Sequence, residues 1–304
     1  MRRRGDVSSK QQSHQQDAPM SRFFVSILLA MSGLAASIDA HAQNARQARS
    51  EVEASMLVTG HVDIDREGRV SAHALDQQDK LPGYVIALID RAIPAMRFEP
   101  IVSDGAPIEA RAKMSLRMVA TPTGDGNMDL RIRSVHFGDE YASDDAGSIR
   151  SAGMRPPRYP AGMVRIGAKG TVYLLLKIGR DGRVAEVMAE QVNLTAIGNA
   201  RQMEMIRSTL SRSAIEAARA WTFVPPTEGE EARKDHWVVR VPVEYMFGDD
   251  RAPAYGQWVA YHPGPRQRPD WAQPTPEGFS PDALVAGAVA PERSRFRLLT
   301  PLEG

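Results

Sequence analysis

The chain contains no cysteine among its 304 residues. This absence excludes disulfide bonds, a thiol nucleophile, cysteine-bound metal and a lipid-modified N-terminal cysteine. The formal net charge is only +1, so nothing favours nucleic acid or an anionic membrane surface. Gly-x-Ser-x-Gly, His-Glu-x-x-His and glycine-rich phosphate-loop motifs are also missing. We therefore predict no enzyme, no small-molecule substrate and no cofactor, and we assign no catalytic, cofactor-binding or metal-binding residue.

Residues 1–42 have the layout of a secretory signal peptide. A charged start precedes an apolar stretch at 23–37, and Ala40-His41-Ala42 supplies the small-residue cleavage site. The stretch is shorter than the roughly 20 residues of a membrane-spanning helix. Because residues 1–19 are polar, Met20 is a possible true start. We predict cleavage after Ala42 and a periplasmic location; the alternative is an uncleaved inner-membrane anchor with the chain facing the periplasm, the one case with membrane contact.

Two pairs of motifs indicate an internal repeat. Residues 66–70 read Arg-Glu-Gly-Arg-Val, and residues 180–184 read Arg-Asp-Gly-Arg-Val. Residues 96–100 (Met-Arg-Phe-Glu-Pro) likewise correspond to residues 221–225 (Trp-Thr-Phe-Val-Pro). Apolar alternation before the acidic-glycine turns predicts strands, and 3.6-residue periodicity after them predicts helices. The pattern predicts an α+β fold of two similar modules, each a small antiparallel sheet with a helix packed on one face.

The composition changes along the chain suggest the module boundaries. We assign the first module to residues 55–137 and the second to residues 158–247. Residues 138–157 are rich in Asp, Ser, Gly and Pro and are predicted to be an exposed linker at which the modules are separable. Residues 248–304 hold nine of the 21 prolines and keep no period of 2 or 3.6, so they are predicted to be a proline-rich irregular extension, partly docked or disordered.

The second module carries a series of motifs in a fixed order. Tyr159-Pro160 precedes the first strand, an Asp-Gly hairpin follows at 181–182, and the helix ends in Trp-x-Phe-x-Pro at 221–225. The last strand contains Val-x-Val-Pro-Val at 239–243. This series resembles the TonB C-terminal domain family over residues 158–247. Residues 55–119 resemble it more weakly, as a diverged copy that lacks the Tyr-Pro start.

The resemblance implies a periplasmic module that binds short extended segments of outer-membrane receptors. In complete energy transducers of this family, the domain also delivers work from an inner-membrane, proton-driven motor. Here the apolar segment looks cleavable, no proline-rich spacer separates it from the first module, and more than fifty residues follow the second module. We favour a non-enzymatic binding module whose partner is a TonB-dependent receptor or another envelope protein. The alternatives are a membrane-anchored energy transducer for transport across the outer membrane, and a structural envelope protein with self-paired repeats.

Pro242 lies within the otherwise alternating last strand of the second module. Proline has no N–H to donate to a neighbouring strand and is tolerated at a sheet edge. An open edge is the geometry for strand addition by an extended peptide. The resemblance points to the same strand; the alternative is that the first module or the extension at residues 248–304 covers it. The predicted binding residues are those whose backbone shares the side of Pro242, together with the Tyr-Pro start: Val238, Arg240, Pro242, Glu244, Tyr159 and Pro160.

Three other groups of residues have simpler interpretations. His61, Asp63 and Asp65 share a strand face and are more typical of a solvated surface than of a metal site. Residues 125–129 imitate the start of a calcium loop, but Leu130 stands where that loop needs glycine, so a hairpin turn is expected. The aromatic residues of the Trp-x-Phe motif, Trp221 and Phe223, are predicted to lock the helix onto the sheet.

Overall fold

The computed structural model describes residues 53–103, 105–123, 126–139, 146–195, 198–246 and 253–302. The predicted signal peptide lies outside these ranges. Within them, none of the helices has the length and apolar character needed to span a membrane.

Two antiparallel sheets, each with a longer helix, dominate the described part of the chain. The strands are β1 (Glu53–Ile64), β2 (Val70–Leu75), β3 (Val102–Ser103), β4 (Ala106–Pro107), β5 (Ala110–Pro122), β6 (Met128–Gly138), β7 (Arg150–Gly153), β8 (Gly170–Gly179), β9 (Val184–Leu194), β10 (Thr222–Val224), β11 (His236–Tyr245), β12 (Val259–Tyr261) and β13 (Ala290–Pro291). The α-helices are α1 (Gly83–Ala92), the short α2 (Ala161–Val164) and α3 (Ala200–Ala218). The predicted α+β fold, with a helix on one face of each small sheet, is confirmed.

The first sheet has the order β12–β1–β5–β6, and β2 also pairs with β1. Successive side chains of a strand point to opposite faces, so the alternating apolar residues of β1 and β5 share one face. Val58 and Leu116 pack on that face against Val85 and Ile89 of α1. The first core therefore lies between α1 and this sheet.

The second sheet has the order β13–β11–β8–β9, and α3 packs on one face of it. The helix begins with a capping box in which Asn199 and Gln202 each accept a hydrogen bond from the other's backbone N–H. Beyond the helix, Trp221 and Phe223 are each 4% exposed. They belong to the second core, the buried cluster between α3 and this sheet. The prediction that they lock the helix onto the sheet is confirmed.

The same hydrogen bond ties the hairpin turn of each module to the aromatic residue after its helix. Phe98 donates its backbone N–H to Gly68 O at 2.7 Å, and Phe223 donates to Gly182 O at 2.8 Å. Both glycines have positive φ angles, +79° and +73°. A Cβ on Gly182 would lie 2.2 Å from Phe223 O. Only glycine allows this approach, which explains why the two motifs occur together.

Replacing Gly182 should therefore destabilise the protein through a contact as well as through its backbone angle. We expect Gly182→Ala to lower the free energy of unfolding by about 2 kcal/mol, measured by urea denaturation. Gly229→Ala is the matched control, because Gly229 has a φ of +72° and open space around its Cβ position. Equal losses for the two variants would contradict a role for the contact between Gly182 and Phe223.

Residues 253–302 run along strand edges in both modules. Their backbone hydrogen bonds and pairings are Tyr261 with Glu53 on β1, His262 with Leu194 and Gln267 with Glu190 on β9, Ala290 with Arg240 on β11, and Arg297 and Leu299 with residues 97–99. Unpaired edges expose backbone donors and acceptors that can pair with other chains. This segment, which we call the tail, satisfies part of that backbone from within the chain.

A turn of the tail also lies between the two sheets. The 3₁₀ helix Pro281–Ala283 is buried, and Asp282 is fully buried. The Asp282 carboxylate accepts hydrogen bonds from Ser134 of β6 at 2.9 Å and from Asn193 of β9 at 3.5 Å. Arg117 of β5 donates to the Asp282 carbonyl oxygen from Nε at 2.8 Å and from Nη2 at 2.6 Å. One tail residue is thus bonded to both sheets.

The boundary between the modules is more structured than its composition suggests. Glu51–Gly304 form one compact unit, and β7, which falls in the predicted linker 138–157, pairs with β10. The ability of either module to fold alone stays a prediction.

Candidate functional site

The strand β11 has two edges with different partners. Its inner edge pairs with β8 over ten residues, from His236↔Gly179 to Tyr245↔Gly170. Its outer edge carries Pro242, whose missing N–H would otherwise point away from β8. Apolar side chains of this strand, such as Val239 and Val241, face the second core. The sheet and α3 therefore hold the outer edge in a fixed place.

The tail occupies part of this outer edge. Glu292 donates its backbone N–H to Val238 O at 2.9 Å, and Gly287 donates to Pro242 O at 2.9 Å. Between these bonds, β13 pairs antiparallel with β11, with Arg240 opposite Ala290. The carbonyl groups of Val238 and Pro242 thus point outward, and each already accepts a hydrogen bond.

Arg240 is buried, with 2% of its surface exposed. Its Nε donates to Glu190 Oε2 at 2.6 Å and its Nη2 to Glu190 Oε1 at 3.3 Å. Its Nη1 donates to the tail carbonyl of Glu292 at 2.8 Å, and its guanidinium lies 4.9 Å from the centroid of the Phe279 ring. The side chain of Arg240 therefore binds the tail through Glu292 and Phe279 and is shielded from solvent.

A second cation completes this buried ionic cluster. Arg266 of the tail donates to Glu190 Oε1 at 3.2 Å and to Thr275 Oγ1 at 3.1 Å. Nearby, burial and the charge of Arg240 lower the pKa of His136 to about 4. His136 is therefore neutral near pH 7. The cluster then consists of two cations, Arg240 and Arg266, that both pair with the Glu190 carboxylate.

Glu244 is the last of the predicted binding residues on β11 whose backbone faces the side of Pro242, and its side chain is exposed. It lies beyond the residues of β11 that pair with β13. Partial burial raises the pKa of its carboxyl group, and the charge of Arg117 acts in the opposite direction. Glu244 is thus a member of the predicted site that lies outside the pairing between β11 and the tail.

The Tyr-Pro start lies beside the end of β11. The Tyr159 ring packs edge-on against the Tyr245 ring, with centroids 5.9 Å apart, and its hydroxyl donates to Ala168 O. Pro160 is the N-cap of α2. Because the Tyr245 side chain belongs to the second core, these residues support the strand from its helix-covered face. They do not line the outer edge beside Val238.

A cleft adjoins the first residues of β11. It has a volume of about 530 Å³ and is lined by His236, Trp237 and Val238 on one side and by Pro291 and Glu292 of the tail on another. The outer edge therefore opens into accessible space where the tail leaves it.

The other polar groups have local partners. Asp63 accepts hydrogen bonds from Arg111 at 2.6 and 3.0 Å, and Asp65 accepts from Arg69. These arginines lower the pKa of both carboxyl groups, for Asp63 through the side-chain hydrogen bond and for Asp65 mainly through the backbone N–H of Arg69. No group of three metal-ligating side chains is found in the part of the chain that the structure describes.

The 125–129 segment joins two strands. Thr123 N–H donates to Asn127 O at 3.1 Å, which closes the connection between β5 and β6. Residues 124–125 themselves lie outside the described ranges.

The sequence did not point to Glu190, Arg266 or the tail residues on β11 as parts of this site. Glu190 lies on β9 between Ala189 and Gln191, and its pairing with Arg240 joins positions 50 residues apart. Pro291 offered a weak signal, since proline is tolerated at a strand edge. The sequence left open the alternative that the tail covers this edge. In the structure, the tail covers it over residues 238–242.

Comparison with known proteins finds a similarity over part of the chain. The chain is 32% identical over 91 residues to Protein tonB2 of Pseudomonas aeruginosa. The match covers 30% of this chain and 28% of that protein, so the chain spans little more than a quarter of the relative's length. No model of a protein family matches, and no solved structure matches. The similarity supports a TonB-like segment within the chain.

Proposed function

We propose that this chain is a non-enzymatic binding module of the bacterial periplasm. It binds extended segments of outer-membrane receptors or other envelope proteins by strand addition at the outer edge of β11. The observation that carries the proposal is the outward direction of the Val238 and Pro242 carbonyls, each of which accepts a hydrogen bond from an antiparallel segment. The similarity to Protein tonB2 supports the choice of partner class.

Backbone recognition accounts for the residues in the site. In strand addition, main-chain hydrogen bonds supply much of the affinity, and the pockets beside alternate side chains supply selectivity. Val238, Arg240 and Glu244 present N–H groups on the side of Pro242, because lateral groups alternate along a strand. Tyr159 and Pro160 contribute indirectly, since Tyr159 packs against the Tyr245 ring at the end of the strand. The proposed site needs no nucleophile, proton donor or metal ion.

The test compares proline at two neighbouring positions of β11. A proline at 240 would not isolate a backbone donor, because it would also remove the buried Arg240–Glu190 ion pair. Glu244 has an exposed side chain and belongs to the same outward set. We expect Glu244→Pro to fold and to lose capture of outer-membrane proteins from an envelope extract, as identified by mass spectrometry.

Val243→Pro is the matched control. Val243 pairs with Val172 of β8, and its N–H points to the inner ladder, so a proline there should break the sheet. Circular dichroism should show a folded Glu244→Pro protein and a disrupted Val243→Pro protein. Normal capture by a folded Glu244→Pro protein would refute strand addition at this edge.

A structural envelope protein is the second candidate function. It is favoured by the tail, which pairs with edges in both sheets. A purely structural protein would capture no outer-membrane receptor with or without substitutions at Glu244, so the same experiment separates the two functions.

A further inference from the structure

The tail occupies the outer edge of β11 in the manner of an added strand. Glu292 and Gly287 bond the carbonyls of Val238 and Pro242, which are the acceptors that the proposed partner needs. The segment runs antiparallel to β11, with Arg240 opposite Ala290. A partner strand and residues 287–292 therefore compete for the same backbone groups.

This internal pairing is short. The ladder consists of Val239↔Pro291 and Arg240↔Ala290, whereas the inner edge of β11 pairs over ten residues. Gly287, which bonds the Pro242 carbonyl, has a φ of +75°, so the segment leaves the extended conformation there and the regular ladder does not continue. Short segments with few ladder bonds open locally at a lower free energy than the rest of a fold, and release of this one also breaks the bond from Arg240 Nη1 to Glu292 O. Residues 287–292 can therefore leave while the sheet persists.

The side chains of this segment show what the edge accepts. Val289 packs against the second core. Ala290 is buried opposite Arg240, whose guanidinium is held by Glu190 and covered by Phe279. Residues directly opposite in a sheet share one face, so a large side chain at position 290 would meet this cluster. The edge is thus suited to an aliphatic residue followed by a small one.

We propose that residues 287–292 are an internal competitor of the binding edge, displaced by an extended peptide with the same alternation of aliphatic and small side chains. The inference rests on the proposed function and concerns the regulation and ligand class of that site. In the closed state the segment shields the outer edge, and binding requires it to be released. The apparent affinity for a partner is lower by the fraction of molecules in which the edge is open.

A disulfide lock tests whether release is required. Val239 and Pro291 are directly opposite, and the bond from Glu292 to Val238 makes them a non-hydrogen-bonded pair, with Cα atoms about 4.5 Å apart. That spacing permits a disulfide, and the chain has no other cysteine. The probe is a fluorescent peptide of residues 284–294. We expect the full-length V239C/P291C protein to bind it when reduced and to lose binding at least roughly tenfold when oxidised.

A variant that opens the edge provides the reverse test. Val289→Asp places a charge against the second core and should release the tail while leaving β11 unchanged. We expect it to bind the peptide at least roughly tenfold more tightly than the parent. Val285→Asp is the matched control, because Val285 lies in the same tail and is 45% exposed. Equal binding by oxidised and reduced V239C/P291C would overturn the inference, whether or not Val289→Asp folds.

Receptor capture separates this inference from the proposed function. If the oxidised lock excludes the peptide but captures outer-membrane proteins normally, those proteins bind elsewhere and the proposed function fails. If Glu244→Pro abolishes capture while the lock affects neither peptide nor capture, strand addition stands and the competitor role of the tail is refuted. Loss of both peptide binding and capture in the oxidised protein supports both.

Discussion

Trp221→Ala is expected to lower the free energy of unfolding by about 3–5 kcal/mol, the usual cost of removing a large aromatic side chain from a core. Trp221 is 4% exposed and packs with α3 and the second sheet. Its indole Nε1 also donates to Arg155 O at 2.8 Å, so the substitution leaves a cavity and a carbonyl without its donor. Urea denaturation followed by far-ultraviolet circular dichroism measures the loss without relying on the fluorescence of the deleted residue.

Two further variants divide this loss into its parts. Trp221→Phe keeps an aromatic ring in the core but removes the N–H, and should cost about 1–2 kcal/mol. Trp271→Ala removes a half-buried tryptophan of the tail and should cost less than Trp221→Ala. A near-neutral Trp221→Ala would indicate that the indole is a surface for ligands and would contradict its place in the core.

The α+β fold of the two modules could be predicted from the sequence because the features that specify it are local or periodic. The acidic-glycine turn, the apolar alternation and the helical period each report on neighbouring residues. The hydrogen bond from Phe223 to Gly182 explains why the turn and the aromatic motif occur together. In the sequence, the only sign of this contact was that both motifs occur twice. Pro242 likewise marked an outer edge through a property of one residue.

The tail could not be placed from sequence because its contacts follow no period. Phe98 pairs with Leu298, about two hundred residues later, and the tail pairs with the sheets over one to three residues at each place. Arg240 shows the consequence. In an alternating strand, a charged residue is expected to face solvent, yet Arg240 is buried because Phe279 and Glu292 of the tail cover that face. Predicting its environment requires knowing where the tail lies.

The buried ion pair between Arg240 and Glu190 gives the second large expected effect. Both side chains are 2% exposed, and the shortest contact between them is 2.6 Å. Arg240→Met leaves the Glu190 carboxylate buried, with Arg266, at 3.2 Å, as its remaining ionic partner among the described residues. Removing one member of a buried pair costs about 3–5 kcal/mol, because the remaining charge is desolvated without full compensation. We expect a loss of that size in urea denaturation near pH 7.

The double variant Arg240→Met/Glu190→Met distinguishes a paired charge from two independent packing contributions. Replacing both members of a buried ion pair by apolar residues is often close to neutral, and Arg266, whose side chain is 35% exposed, can then turn to water. We expect the double variant to be more stable than Arg240→Met alone, with a coupling energy of at least about 1–2 kcal/mol in a double-mutant cycle. Salt should change the loss little, since a buried pair is weakly screened. If the two single losses simply add, the side chains contribute through packing alone, and the ion pair does not hold the tail against β11.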